Sequence, residues 1–421
     1  MSEEIPITII GGGAVGCAIA YELSNRLDDK IFLLERNSKI RGENQSSRNS
    51  GVVHAGIYYR KDTEPLKARF CVEGNRRLYE FCEEHRVPHK KTGKLVVATN
   101  PREEEYLDDV LAVSLDNGVP GVKRISGEKA RSMEPNVNAT SAIYVPTSGI
   151  IEPIEYVSRL HHLAKTNGVS FITGNEVINI TPKGNSFEVT TKSGRNIDTF
   201  ETKVLINAAG LYSDEIARMV NPDSPYEMDS VRGEAAKFYK TKRASISMNR
   251  MNVYPAPHGF WNKGGEKADV SFEEFQKLLE EGKITKTVGV HLTPTFDIEN
   301  GEYVIGKTVT IGPTPTVGIG KEDYSSNLHP EEYYLQRVKG FFPSLELDDI
   351  VLHQVGISAK LKNQCDFVVE RDPKHPNCIN VVGINSPGLT ASLAIANYVR
   401  ELLKDWGFFW AEDYLLRKIE L

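Results

Sequence analysis

The chain has 421 residues, of which 40% are hydrophobic and 26% charged, and a formal net charge of -6. A chain of that size holds about two or three globular domains, and a net negative balance with no basic block or aromatic-basic stripe excludes a nucleic-acid binder. The five cysteines, Cys17, Cys71, Cys82, Cys365 and Cys378, show neither Cys-x-x-Cys nor metal-ligand spacing, so a reducing compartment and no metal site are expected. The first residues lack the basic segment of a signal peptide and no apolar run is long enough to span a bilayer, so the expected location is cytoplasmic.

Residues 7–10 form an apolar strand that runs into Gly11-Gly-Gly13-Ala14-Val-Gly16, an apolar helix, and a second strand, Ile31-Phe-Leu-Leu-Glu35. Gly11 permits the tight turn, Gly13 lets the backbone approach a pyrophosphate, and Gly16 lets helix and strand pack closely. The helix N-terminus supplies positive dipole and free N–H groups, and Glu35 stands where a carboxylate accepts from a ribose hydroxyl. Strand, glycines, helix, strand and acid in this order specify a dinucleotide site.

The nucleotide unit does not close after Glu35, which predicts that later segments return to its sheet. Residues 77–85 and 102–111 read as helices around a strand at 93–99. A short strand follows at 174–180, a hairpin strand at 187–194, and a buried strand from Lys203 that ends on the small residues Ala208-Ala-Gly210. The stretch 229–356 is rich in Thr, Val, Tyr and Gly and reads as antiparallel sheet, interrupted at 271–282 by apolar residues at helical spacing with an acidic polar face. Residues 379–396 are a strand, a Pro387-Gly388 turn and a helix whose N-terminus favours a partial negative charge. The segment 405–416 concentrates Trp406, Phe408, Phe409 and Trp410, which either pack on the domain or a subunit partner or dock a membrane-bound electron carrier. The expected fold class is α/β: a discontinuous dinucleotide domain at 1–75, 169–228 and 357–421, and an inserted antiparallel-sheet substrate domain at 76–168 and 229–356.

Several blocks together carry a family resemblance over nearly the whole chain: Gly11 to Gly16 with Glu35, Ser47-Arg-Asn-Ser-Gly-Val-Val-His54-Ala-Gly-Ile-Tyr-Tyr, Gly93-Lys-Leu-Val-Val-Ala, Asn207-Ala-Ala-Gly-Leu-Tyr-Ser-Asp, Arg232-Gly-Glu, Gly289-Val-His291-Leu-Thr-Pro and Asn385-Ser-Pro-Gly. The chain resembles the D-amino-acid-oxidase superfamily, in the branch of L-2-hydroxyglutarate and FAD-dependent glycerol-3-phosphate dehydrogenases. The resemblance implies noncovalent FAD in a Rossmann-like domain, capped by the substrate sheet. It implies cofactor contacts from Gly11, Gly13, Ala14, Gly16, Glu35, Arg36, Ser47, Val177, Ala208, Gly210, Gly356, Gly388, Leu389 and Thr390. Arg48 and Asn49 contact phosphate or ribitol, or else cap their own loop.

Oxidation of an alcohol by hydride loss needs a base for the hydroxyl proton, and a histidine pKa of about 6.5 suits that task. His54 is the first candidate and His291 the second. An anionic substrate needs cations and phenols, for which Tyr58, Arg232, Tyr254 and Lys360 are the candidates. Enzymes of this branch carry arginine in a Gly-Ile-Arg or Gly-Leu-Arg motif where Ser358 stands here, so the usual bidentate carboxylate clamp is missing. By strand alternation Lys360 shares a face with position 358 and offers a less directional charge that suits phosphate. The expectation is therefore oxidation of glycerol 3-phosphate to dihydroxyacetone phosphate, with L-2-hydroxyglutarate oxidation as runner-up. Glycine- or sarcosine-type amine oxidation follows, and behind it a flavoprotein acting chiefly as a partner in a complex. The expected partners are a quinone or carrier as electron acceptor, a membrane-associated partner at the inner face of the cell membrane, and a second copy of the chain as a dimer.

Overall fold

A computed structural model of the chain describes residues 4–27, 29–261 and 267–404. Two eight-stranded sheets carry the fold. In the first, Glu176–Lys183, Ser186–Ser193, Asn196–Asn207, Ile5–Ile10, Ile31–Glu35 and Ser170–Thr173 lie in that order, and Cys378–Val382 and Val368–Arg371 extend it from Asn196–Asn207. Its centre is parallel, with Ile7 opposite both Val204 and Ile31 and with Ile206 opposite Ile379. Parallel strands are covered on both faces and so read as apolar runs, which is why the segments around Ile7 and Ile31 were conspicuous. The helices Ala14–Ser24, Pro65–His85, Pro153–Thr166 and Gly388–Leu403 share one core with this sheet, through Cys17, Phe70, Phe81, Tyr156, Leu160 and Ile395. Ser213–Val220 covers the other face with Ile216 and Val220.

The second sheet runs Val351–Leu361, Met228–Tyr239, Glu302–Thr316, Leu292–Glu299, Asn252–Pro255, Lys94–Ala98, Ser141–Val145 and Lys123–Ser126. It is antiparallel except where Asn252–Pro255 pairs in parallel with Lys94–Ala98. Period-two alternation divides its faces. Leu95, Val97, Val253, Leu292 and Ile311 pack on one side with Tyr334, Phe341 and Phe342. Register places Lys94 beside Asn252 and Val253 beside Leu292, so Lys94, Asn252, Tyr254, His291 and Thr293 stand on the other side.

Two expected domain limits move. Strand Val351–Leu361 runs straight through the expected boundary at 357 and pairs wholly in the second sheet. Helix Pro153–Thr166 and the second half of Pro65–His85, expected in the substrate domain, pack instead in the nucleotide core, because their apolar residues face Ile7 and the last helix. The helix expected at 271–282 forms as Phe272–Glu280. Its aromatic face is already covered, since Phe272 and Phe275 meet Tyr106 at 5.2 and 5.1 Å. The aromatic segment 405–416 lies outside the described residues. Among the described residues no helix is long and apolar enough to cross a membrane.

Candidate active site

The carboxyl ends of the first sheet's parallel strands open into a groove of about 580 Å³ lined by Gly11, Gly13, Glu35, Arg36, Arg48, Val177, Ala208, Gly210 and Tyr324. This is where ligands bind in open α/β sheets. Gly16 lies behind the groove with a structural duty: a Cβ there would stand 1.9 Å from the Gly11 carbonyl oxygen. Glu35 is buried, and its two oxygens accept from the backbone N–H groups of Gly12 at 2.7 Å and Asn37 at 2.8 Å. Gly13 caps the helix without a side-chain hydrogen bond, while the N–H of Ala14 donates to Ser46 Oγ at 2.8 Å. Beside the groove, Ser47 Oγ and Asn44 Oδ1 are buried with no hydrogen-bond partner. Unpaired buried polar atoms are costly, so they mark where another acceptor or donor belongs.

The groove is partly roofed by the segment 320–327. Tyr212 Oη donates to Glu322 at 2.7 Å, the Arg36 guanidinium lies 3.8 Å from the Tyr212 ring, and that of Arg48 lies 4.8 Å from the Tyr324 ring. Arg232 anchors this roof from below. It is fully buried, donates to Glu234 Oε1 at 2.9 Å and to the Ser326 carbonyl at 2.6 Å, and pairs with Asp323 at 3.2 Å. Its guanidinium is thus engaged inside the fold, away from the histidines where a substrate role was expected of it. Asn49 caps its own loop, accepting from the Gly51 N–H and donating to the Ser46 carbonyl.

The second site lies between the last helix of the first layer and the open face of the second sheet. Thr390 Oγ1 accepts from the His54 backbone N–H at 3.0 Å, and Asn75 Nδ2 donates to the His54 carbonyl at 2.7 Å. Two elements of the nucleotide core thus hold the loop in place, and His54 Nε2 comes 3.3 Å from Ser386 Oγ. Across from it, the His291 ring stacks on Tyr254 at 3.8 Å and 9°, and its Nδ1 is 3.2 Å from Thr293 Oγ1. Burial, reinforced by the charge of Lys94, holds both imidazoles well below the ordinary histidine value. Both are consequently neutral, as a proton acceptor must be.

Tyr58 and Tyr254 lie close to these groups, with the Lys94 ammonium over both of their rings. Their hydroxyls are buried without partners, as are Asn252 Oδ1 and Thr310 Oγ1 on the same sheet. Gly388 opens the last helix, with Thr390 on the histidine loop and Leu389 half-buried against the nucleotide core. Gly356 serves the close approach of its strand to the Arg48 backbone, whose oxygen would stand 2.2 Å from a Cβ. Lys360 is half-buried in its strand opposite Asp229. One residue, quoted in the Gly93-Lys-Leu-Val-Val-Ala block, was given no role by the sequence. Lys94 is 1% exposed, and its ammonium lies 3.8 Å from the Tyr254 ring centre and 5.7 Å from that of Tyr58. A lysine in the otherwise apolar strand Lys94–Ala98 was the available signal.

The family model for FAD dependent oxidoreductases matches residues 6–402. The chain belongs to this family. It is 30% identical over 401 residues to a glycerol 3-phosphate dehydrogenase of Caloramator mitchellensis, a match covering 95% of this chain and 74% of the relative. It is 28% identical over 431 residues to an L-2-hydroxyglutarate dehydrogenase of Indibacter alkaliphilus, covering 94% and 98%. Among solved structures, the FAD-bound L-alpha-glycerophosphate oxidase of Mycoplasma pneumoniae superposes with a TM-score of 0.79 at 25% identity, covering 97% of this chain and 96% of the other. A glycine oxidase of Geobacillus kaustophilus, at 18% identity and a TM-score of 0.72, shares the fold. As an FAD-dependent oxidoreductase the chain needs a dinucleotide cradle, and the glycine-lined groove, the helix N-terminus at Gly13 and the orphaned Ser47 hydroxyl fit one.

Proposed function

We propose that the protein is a dehydrogenase that oxidises the secondary alcohol of a small anionic metabolite, with sn-glycerol 3-phosphate the best candidate and dihydroxyacetone phosphate its product. Electrons would leave to a quinone or a carrier. The observation that carries this reading is the pair of neutral histidines, one buried and one partly buried, beside a buried lysine and two unpartnered phenols. Bound FAD supplies a two-electron acceptor for the substrate hydride. His54 takes the hydroxyl proton at Nε2, the tip of a ring whose backbone is fixed by Thr390 and Asn75. His291, clamped between Tyr254 and Thr293, orients the substrate oxygen. With Arg232 sequestered and Ser358 at the arginine position, the charge available here is lysine, a point charge that suits phosphate as well as carboxylate.

L-2-Hydroxyglutarate is the second reading, favoured by the similarity to a dehydrogenase of that substrate over 94% of this chain. Anaerobic bleaching of the flavin absorbance tests both. Bleaching by glycerol 3-phosphate alone supports the first reading; bleaching by L-2-hydroxyglutarate alone replaces it with the second, and bleaching by glycine or sarcosine alone overturns both.

A further inference from the structure

A lysine ammonium is almost never buried unless it is paired. Among the described residues Lys94 makes no ion pair with a carboxylate, although it stands 1% exposed at the start of a sheet strand, and its ammonium lies over the Tyr254 ring. The groups around it come from four directions: His54 from the loop after Val52–Val53, Cys71 from helix Pro65–His85, Tyr58 from the segment following His54, and Tyr254 with His291 from the neighbouring strands. None is an anion at neutral pH. Burial pushes the Cys71 thiol and both phenols upward, and both histidines downward. The pocket therefore holds a cation site surrounded by hydrogen-bond donors and by nothing that neutralises it.

We propose that Lys94 is the residue that receives the anionic group of the substrate, with the orphaned hydroxyls of Tyr58 and Tyr254 donating to the same group. This rests on the reading of the pocket as a site for a small anionic alcohol, and assigns the charge recognition within it. It also explains the missing arginine at 358, since the cation is supplied from a different strand. Burial holds the Lys94 ammonium down to about 7, so near pH 8 the empty pocket contains mostly neutral amine. An arriving anion restores the charged form, and binding then takes up a proton from solvent.

The test is calorimetric titration of the FAD-loaded protein at pH 8 with sulfate and, separately, glutarate, neither of which titrates near that pH. Each titration is run in two buffers of different ionisation enthalpy. Wild type is expected to take up about one proton per bound anion. Lys94→Met should bind roughly 10- to 100-fold more weakly with no proton uptake, and Lys94→Arg should keep the affinity and lose the uptake. Preference for sulfate or glutarate distinguishes a phosphate from a carboxylate pocket. Binding in Lys94→Met as tight as in wild type, or wild-type binding without proton uptake, overturns the role of Lys94 and leaves the anionic-alcohol reading standing. Failure of wild type to bind either anion, with flavin reduction by amines, overturns both.

Discussion

The nucleotide groove and the histidine pocket are built by opposite means. The base of the groove is backbone: Gly11, Gly13, the helix N-terminus and the ends of the first two strands, with Val177, Ala208 and Gly210 returning later. The pocket is made of side chains on neighbouring strands that are remote in sequence, Lys94 beside Asn252 and Tyr254 beside His291. A backbone site is announced by spacing, since only glycine tolerates the close approaches. A side-chain site depends on register, and register is settled only when the sheet forms.

The sharpest way to test that contrast is to remove a pocket side chain and leave the groove alone. His54→Asn should slow anaerobic flavin reduction by about 10²–10⁴-fold, the span of a general-base contribution, with FAD content by absorbance unchanged. His291→Asn should slow it less. In wild type the neutral base is lost as pH falls through its pKa, and burial has moved that point well below 6.5. Stopped-flow reduction rates should therefore stay level as pH falls to 6.5, and a decline already centred there would remove His54 from the role.

Arg232→Met should strike the scaffold between the two sites. Breaking a buried ion pair costs about 3–5 kcal/mol, and here it leaves Glu234 buried with Thr316 and His329 as its remaining partners. Denaturant unfolding should show that loss while the KM of the folded fraction stays put. A raised KM at unchanged stability would return Arg232 to the substrate.

Lys94 offers a pH-dependent version of the same contrast. Its folded pKa, about 7, lies below the ordinary lysine value of 10.5. Below 7 the group is charged in both states and the burial penalty is felt in full; between 7 and 10.5 the unfolded chain binds more protons, so stability rises with pH. Wild type without anion should accordingly be less stable than Lys94→Met at pH 6, by up to about 4 kcal/mol, and the gap should close toward pH 10. Equal pH slopes for the two proteins in urea unfolding would show that Lys94 is not buried as a free amine.

These residues also show what was legible in the sequence. The parallel strands around Ile7 and Ile31, the glycine cradle, the returning strand that ends at Ala208 and the last helix were all readable, because apolar runs and glycine spacing are local signals. The pairing of Arg232 with Glu234 was readable in principle, since residues two apart on a strand share a face, yet Arg-Gly-Glu looks equally like a substrate clamp. Lys94 was hidden inside a five-residue strand whose neighbours could not be known. The domain limit at 357 failed because Gly356 and Ile357 continue one strand, and nothing in composition marks which sheet that strand joins.

The smallest effect belongs to the roof of the groove, where a side chain from the segment 320–327 closes over it. The Tyr324 ring lies under the Arg48 guanidinium at 4.8 Å, and its hydroxyl accepts from Gln45 Nε2. Each contact contributes about 0.5–1.5 kcal/mol, and both hold the roof rather than the cradle. Tyr324→Ala should therefore weaken FAD retention by about tenfold, measured by flavin fluorescence on dilution, and leave the reduction rate of the loaded protein unchanged. A slower reduction at full FAD occupancy would mean that the roof also sets the geometry at His54, and that the groove and the pocket are one site rather than two built by different rules.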